Sequence, residues 1–299
     1  MTAPLSPDCR SGWCRVVRAG RRMGRFILLL AVVGPALAPP PQNARSEEGK
    51  DRLRFSLRTR VEAFKGSGDW SEVTLVKDIP ARETALIICD MWDQHWCPTA
   101  SKRCAELARK MAPVIAAAQA RGIPVIHAPS ECMEFYKDTP QRQRMVQVKR
   151  VQPPKPLTLP EPPLPVDDSD GGCDCDEPVK SYRAWKRQHQ DIPIADTDVI
   201  SDNGAEVYSF LHERGIKNLI MMGVHTNMCV LGRSFAIRQM TKWGIHCILV
   251  RDLTDSMYNP KKAPYVSHDA GTELIVQHIE KYWCPSMLSR DLKDAFAKP

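Results

Sequence analysis

From Thr84 to Tyr282, short continuous apolar runs alternate with stretches of helical periodicity, and this alternation limits the fold more than any other feature of the chain. Apolar runs without a polar face are strands buried on both sides, which happens when helices cover both faces of a parallel sheet. Thr84-Ala85-Leu86-Ile87-Ile88-Cys89 reads as the first strand, ending at Asp90. A helix is expected over about 100–121, with Leu107, Met111, Val114, Ile115 and Ala118 on one face and Gly122 as its stop. Residues 123–128 read as the second strand. An insertion over 129–196 follows, rich in proline (Pro153, Pro154, Pro156, Pro160) and expected to be irregular. Loops of this length in compact domains serve as lids or binding loops.

The regular pattern resumes with a strand at 197–201 and a helix capped by Asp202 or Asn203 and stopped at Gly215. A strand at 219–222, a helix from Cys229 to about Lys242, a strand at 245–250 and a helix over 267–282 complete it. The expected fold is a three-layer α/β/α, doubly wound domain with a mainly parallel sheet, spanning 70–290. Residues 1–44 read as a leader, 45–69 as an N-terminal extension and 291–299 as a C-terminal tail.

The net charge of +7 is concentrated in the leader, whose six arginines face a single acid, Asp8. The remaining chain carries 36 basic and 34 acidic residues, with no stripe of cations interleaved with aromatics, so nucleic acid is not an expected partner. The leader has a basic stretch ending at Arg25, an apolar run over 26–33 and Ala36-Leu37-Ala38 as a small-x-small cleavage site. Export is therefore expected, with Met1 or Met23 as the start. The run is too short to span a bilayer, so no stable membrane span is expected after cleavage.

Nine of the eleven cysteines lie beyond Ala38. Cys173 and Cys175 sit in the acidic loop Asp170-Gly171-Gly172-Cys173-Asp174-Cys175-Asp176-Glu177. A disulfide from this loop to another cysteine is preferred over a metal, because no second Cys or His pair stands at zinc spacing nearby.

In a doubly wound sheet the C-terminal ends of neighbouring strands whose crossovers leave to opposite faces border the ligand crevice. Asp90 ends the first strand, and Cys229 follows the strand at 219–222 by a few residues, so both reach one cleft although 139 positions separate them. The turn Gly223-Val224-His225-Thr226-Asn227-Met228-Cys229-Val230 places Cys229 at a helix start, where free N–H groups favour a thiolate and can receive an oxyanion. On that ground Cys229 is expected to be the fastest cysteine to alkylate. Asp90 would take the thiol proton and return it to a leaving group.

These two segments resemble those of the isochorismatase-like cysteine hydrolase superfamily, which includes nicotinamidase-related amidases. Leu86-Ile87-Ile88-Cys89-Asp90 is similar to its first strand and catalytic aspartate, and Gly223 through Val230 to its nucleophile turn; the likeness covers about 200 residues. The resemblance implies a cis peptide at Val224-His225, an oxyanion hole around it, and hydrolysis of a small amide or ureide through a Cys229 thioester. It also allows a homo-oligomer. His95 and Trp96, His127 and Glu131 are further candidates to line the substrate cleft. The Asp-x-His spacing of metal-binding nicotinamidases is absent after the second strand, so no metal or other cofactor is expected.

The family's lysine has no counterpart between Asp196 and Asp202. Arg187 is the expected substitute, since a guanidinium stays charged when partly buried and can grip Asp90 or a substrate carboxylate. If no cation serves Asp90, the alternative is a catalytically lapsed member that binds a small molecule or a partner. A redox-active thiol protein ranks last, because no Cys-x-x-Cys occurs.

Overall fold

The computed structural model describes residues 51–177 and 179–297; the leader lies outside the described residues. Its strands are β1 (Arg52–Glu62), β2 (Trp70–Pro80), β3 (Thr84–Cys89), β4 (Val125–Ala128), β5 (Val199–Ile200), β6 (Asn218–Val224), β7 (His246–Asp255) and β8 (Ser286–Met287). The helices are α1 (Pro98–Ala120), α2 (Met133–Tyr136), α3 (Pro140–Gln147), α4 (Gly204–Glu213), α5 (Cys229–Gly232), α6 (Ile237–Lys242), α7 (His268–Tyr282) and α8 (Ser289–Ala297). The strands form one sheet in the order β2-β1-β8-β7-β6-β3-β4-β5. It is parallel from β8 to β5 and antiparallel where β1 meets β2 and β8.

The period of two along β3 explains why it has no polar face. Ala85, Ile87 and Cys89 pack with Val207, Phe210 and Leu211 of α4 and Ile275 and Ile279 of α7. Leu86 and Ile88 pack on the opposite face with Leu107, Met111 and Ile115 of α1 and Leu292 and Phe296 of α8. Alternate side chains therefore feed two separate cores, and the strand must be apolar throughout.

Three expectations change. The segment read as an extension contains β1, whose Leu53, Phe55 and Leu57 are buried while Arg52, Arg54 and Ser56 are exposed. It is tied to α7 by Arg58 Nε, which donates to Glu280 Oε1 at 2.7 Å. The segment read as a tail forms most of α8, with Leu292, Ala295 and Phe296 buried. The helix expected from Cys229 to Lys242 is broken: Arg233 adopts an extended conformation (φ −64°, ψ 158°) between α5 and α6. The insertion is largely irregular but opens with α2 and α3.

Candidate active site

Asp90 leaves β3 at a positive φ of 47°, a conformation that costs an L-residue energy and persists where surrounding contacts dictate it. Its N–H donates to the Ala128 carbonyl at 3.1 Å and its carbonyl accepts from Trp92 N–H at 2.9 Å. The carboxylate is fully buried. Oδ1 accepts from the Ser130 backbone N–H at 2.6 Å, and Oδ2 accepts from Arg233 Nε at 3.0 Å.

Beside it, β6 runs into the turn that carries Cys229. Gly223 (φ +134°) is required here, because a Cβ at this position would lie 2.0 Å from the Cys89 carbonyl oxygen. The Val224–His225 peptide bond is cis. The far side of the turn is fixed to the end of β7: Thr226 N–H donates to the Asp255 carbonyl at 2.8 Å, and Thr254 Oγ1 donates to the Gly223 carbonyl at 2.8 Å. Asp90 acts on the Cys229 thiol and raises its pKa, while the His225 backbone acts in the opposite sense.

The electrostatics differ from those expected of a helix start. Burial, followed by the charge of Asp90, pushes the Cys229 thiol up to about 12, against a smaller opposing pull from Arg233. Burial also raises Asp90 above the usual carboxylate range, while Arg233 and Ser130 pull it back. Both shifts favour the protonated thiol over a preformed thiolate. α5 is a single turn, and its dipole is too small to offset the desolvation of this partly buried sulfur.

The cation on Asp90 is Arg233, not Arg187. Arg187 pairs with Asp93 (Nε to Oδ2, 4.0 Å) and stands over the Phe135 ring at 5.8 Å. Arg233 reaches Asp90 because the chain turns extended after α5; a continuous helix would have sent its side chain along the helix surface. Its Nη2 lies 3.8 Å from Glu131 Oε1, which brings Glu131, itself at φ 65°, to the mouth of the site.

Among the other expected residues, His95 and His225 meet edge to face with ring centroids 4.9 Å apart. Burial, aided by Arg103, pulls His95 down to about 4, and burial with the neighbouring His95 takes His225 to about 3, so both are neutral at physiological pH. His95 also stacks with Trp185 of the insertion (5.9 Å), which in turn stacks on Trp92 at 4.1 Å. Sequence reasoning did not single out Trp185 as a site residue. Trp96 packs instead against Gly171 and the cysteine loop. His127 is held in the interior, with Nε2 3.0 Å from Asp198 Oδ2 and Nδ1 against the Gln188 side chain. Both nitrogens are thus engaged beneath the insertion, which leaves no ring nitrogen to meet a substrate.

A cavity of about 430 Å³ beside Glu131 is lined by Cys132, Phe135, Arg183 and Trp185 among others. A larger cavity, about 540 Å³, lies at the opposite end of the sheet around Asn218 and His246, away from Asp90 and Cys229.

No family model and no curated protein matches the sequence. Among solved structures, the chain is similar to a cysteine hydrolase from Pseudomonas syringae, with 17% identity, a TM-score of 0.48, and coverage of 73% of this chain and 94% of that one. It is also similar to an isochorismatase family protein from Burkholderia thailandensis, with 18% identity, a TM-score of 0.42, and coverage of 72% and 96%. An isochorismatase from Pseudomonas putida is 13% identical, with a TM-score of 0.43 and coverage of 70% and 90%.

Proposed function

We propose that the protein is a thiol-dependent hydrolase of a small amide- or ureide-like substrate, acting through a thioester on Cys229. The observation that carries this reading is the buried Asp90 carboxylate held by the Arg233 guanidinium, with Asp90 acting directly on the Cys229 thiol. A buried carboxylate that must accept a proton needs a fixed cation to remain ionised, and Arg233 supplies it where the resembled family uses a lysine.

As the sulfur attacks the carbonyl carbon, its proton passes to Asp90 and the carbonyl oxygen becomes an oxyanion. The resemblance assigns that oxygen to backbone N–H groups around the Val224–His225 bond and Cys229. Asp90 then gives the proton to the departing nitrogen, the C–N bond breaks and the acyl group remains on sulfur. Water attacks the thioester with Asp90 again accepting a proton, the acid leaves and the thiol is restored. The raised thiol suits this order: the nucleophile forms only as the proton is taken, which restrains reaction with passing electrophiles.

Ammonia or amine release from a panel of nicotinamide, carbamoyl amino acids and ureides tests the proposal. At least one member should turn over, and Cys229→Ala should lower that rate by at least about 10³. Binding across the panel without turnover would instead identify a lapsed enzyme. The leader further supports export; N-terminal sequencing of the native protein should find a start beyond the apolar run, and a soluble cytosolic form retaining it would oppose this.

A further inference from the structure

Outside the catalytic contacts, three thiols separated in sequence converge. Cys97 is the residue at the N-terminal cap of α1, whereas Cys173 and Cys175 come from the insertion. Their Sγ atoms all lie within 4.8 Å of one another, and Cys97 Sγ and Cys175 Sγ, 78 positions apart, are separated by 3.8 Å. All three are free thiols. Sulfurs bound tetrahedrally to one ion at about 2.3 Å stand about 3.8 Å apart, whereas a disulfide needs about 2.05 Å. The Cys97–Cys175 separation matches that of two ligands on one ion, and all three sulfurs are close enough to share a centre.

The surroundings hold this arrangement in place. Gly172 (φ +69°) lies against the Met257 backbone, where a Cβ would approach the carbonyl oxygen to 2.2 Å, so only glycine lets the loop seat this deeply. Asp174, between the two loop cysteines, accepts from Arg103 Nη1 at 2.8 Å and from the Thr99 hydroxyl. Arg103 Nε reaches on to Asp255 Oδ2 at 2.9 Å, where His268 Nε2 also bonds the other carboxylate oxygen at 2.8 Å. Met228, Met257 and Trp96 wall the sulfurs on the apolar side. On the open side a cavity of about 280 Å³ reaches Cys173 and Cys175 past Asp170, Asp176 and Glu177, an acidic entrance suited to a cation.

We propose that Cys97, Cys173 and Cys175 bind one Zn²⁺, which fastens the insertion to the start of α1 next to the catalytic cleft. Three thiolates supply the soft ligands that this d¹⁰ ion prefers. The fourth position falls to water or to Asp174, whose Oδ1 is 4.0 Å from Cys97 Sγ. Binding exchanges three thiol protons for the ion, the protons pass to solvent, and no electron is transferred. The sequence reading favoured a disulfide because it looked for a second pair nearby; the third ligand is a lone cysteine brought in by the fold.

The test does not involve catalysis. The full chain, purified with reductant, stripped and reloaded with Zn²⁺, should retain one zinc per chain by elemental analysis. With Co²⁺ as the probe it should show thiolate-to-cobalt charge-transfer absorption and tetrahedral ligand-field bands. Cys97→Ser, Cys173→Ser and Cys175→Ser should each weaken binding by more than about tenfold, whereas Cys132→Ser and Cys229→Ala should match the unaltered protein. In the unaltered protein, Zn²⁺ should also slow alkylation of these three cysteines selectively, a readout independent of how the variants fold. Absence of the cobalt–thiolate band, zinc retention indifferent to all three substitutions, or a native disulfide joining two of the three would overturn the proposal.

Discussion

Arg233 Nε lies 3.0 Å from Asp90 Oδ2 across 143 positions of sequence, so the chain supplies the cation for its buried carboxylate from just beyond its candidate nucleophile. Because Arg233 lowers the Asp90 pKa against the upward push of burial, its removal must raise that pKa further. If ionised Asp90 is the base, the acid limb of kcat/KM should shift to higher pH in Arg233→Ala, with the plateau about 10² lower. Arg233→Lys should recover part of the loss, and Arg187→Ala should leave the limb in place. A pH–rate series on the three variants checks this.

The order of cysteine labelling should reverse the one suggested by sequence alone. Cys229 is pushed up to about 12, by burial first and Asp90 second, whereas the pKa of the more accessible Cys175 is lowered. Mass-spectrometric mapping of a brief iodoacetamide pulse on metal-free protein near neutral pH should find Cys175 modified before Cys229. Asp90→Asn removes a buried negative charge beside the thiol, so the Cys229 labelling profile should move to lower pH.

Glu206 anchors the insertion to the main domain. It accepts from Arg142 of α3, Arg150 and the Ser201 hydroxyl, bonds that outweigh burial and take its pKa to about 2. A depressed carboxylate stabilises the folded state fully above its ordinary value of 4.5, and that stability is lost as pH falls towards 2. Glu206→Gln should cost about 2 kcal/mol near pH 7, the scale of hydrogen bonds to a charged group. Urea titrations should show the gap from the parent narrowing across the window from pH 4.5 to 2.

The C-terminal segment should behave as core. Phe296→Ala, which empties a buried ring position against α1 and the sheet, should lower stability by about 3 kcal/mol by denaturant unfolding. Substitution of the exposed neighbour Lys293 by Ala should change it by less than about 0.5 kcal/mol.

How much the sequence revealed follows from how local each signal is. The strand at Thr84–Cys89, the turn before Cys229 and the Asn203 cap, whose side chain accepts from the N–H groups of Ala205 and Glu206, are written in short windows. The alternation of Leu53, Phe55 and Leu57 and the helical spacing of Leu292, Ala295 and Phe296 were also legible, although both segments were assigned to termini. Arg233 was not legible, because its role depends on a break that only Gly232 and Ser234 hint at. Cys97 carried no local sign of its partners, since Cys173 and Cys175 reach it through the path of the irregular insertion. The helix-start argument for Cys229 omits burial, which pushes its thiol up and which sequence position does not reveal.

Thioester formation on Cys229 is tested by intact-protein mass spectrometry of the full chain, acid-quenched during turnover of an amide substrate found by the panel. A transient species heavier than the protein by the acyl group is expected, mapped to Cys229, absent in Cys229→Ala and accumulating in Asp90→Asn only to the extent that acylation survives. Steady turnover with no acyl adduct, or turnover undiminished in Cys229→Ala, would contradict it.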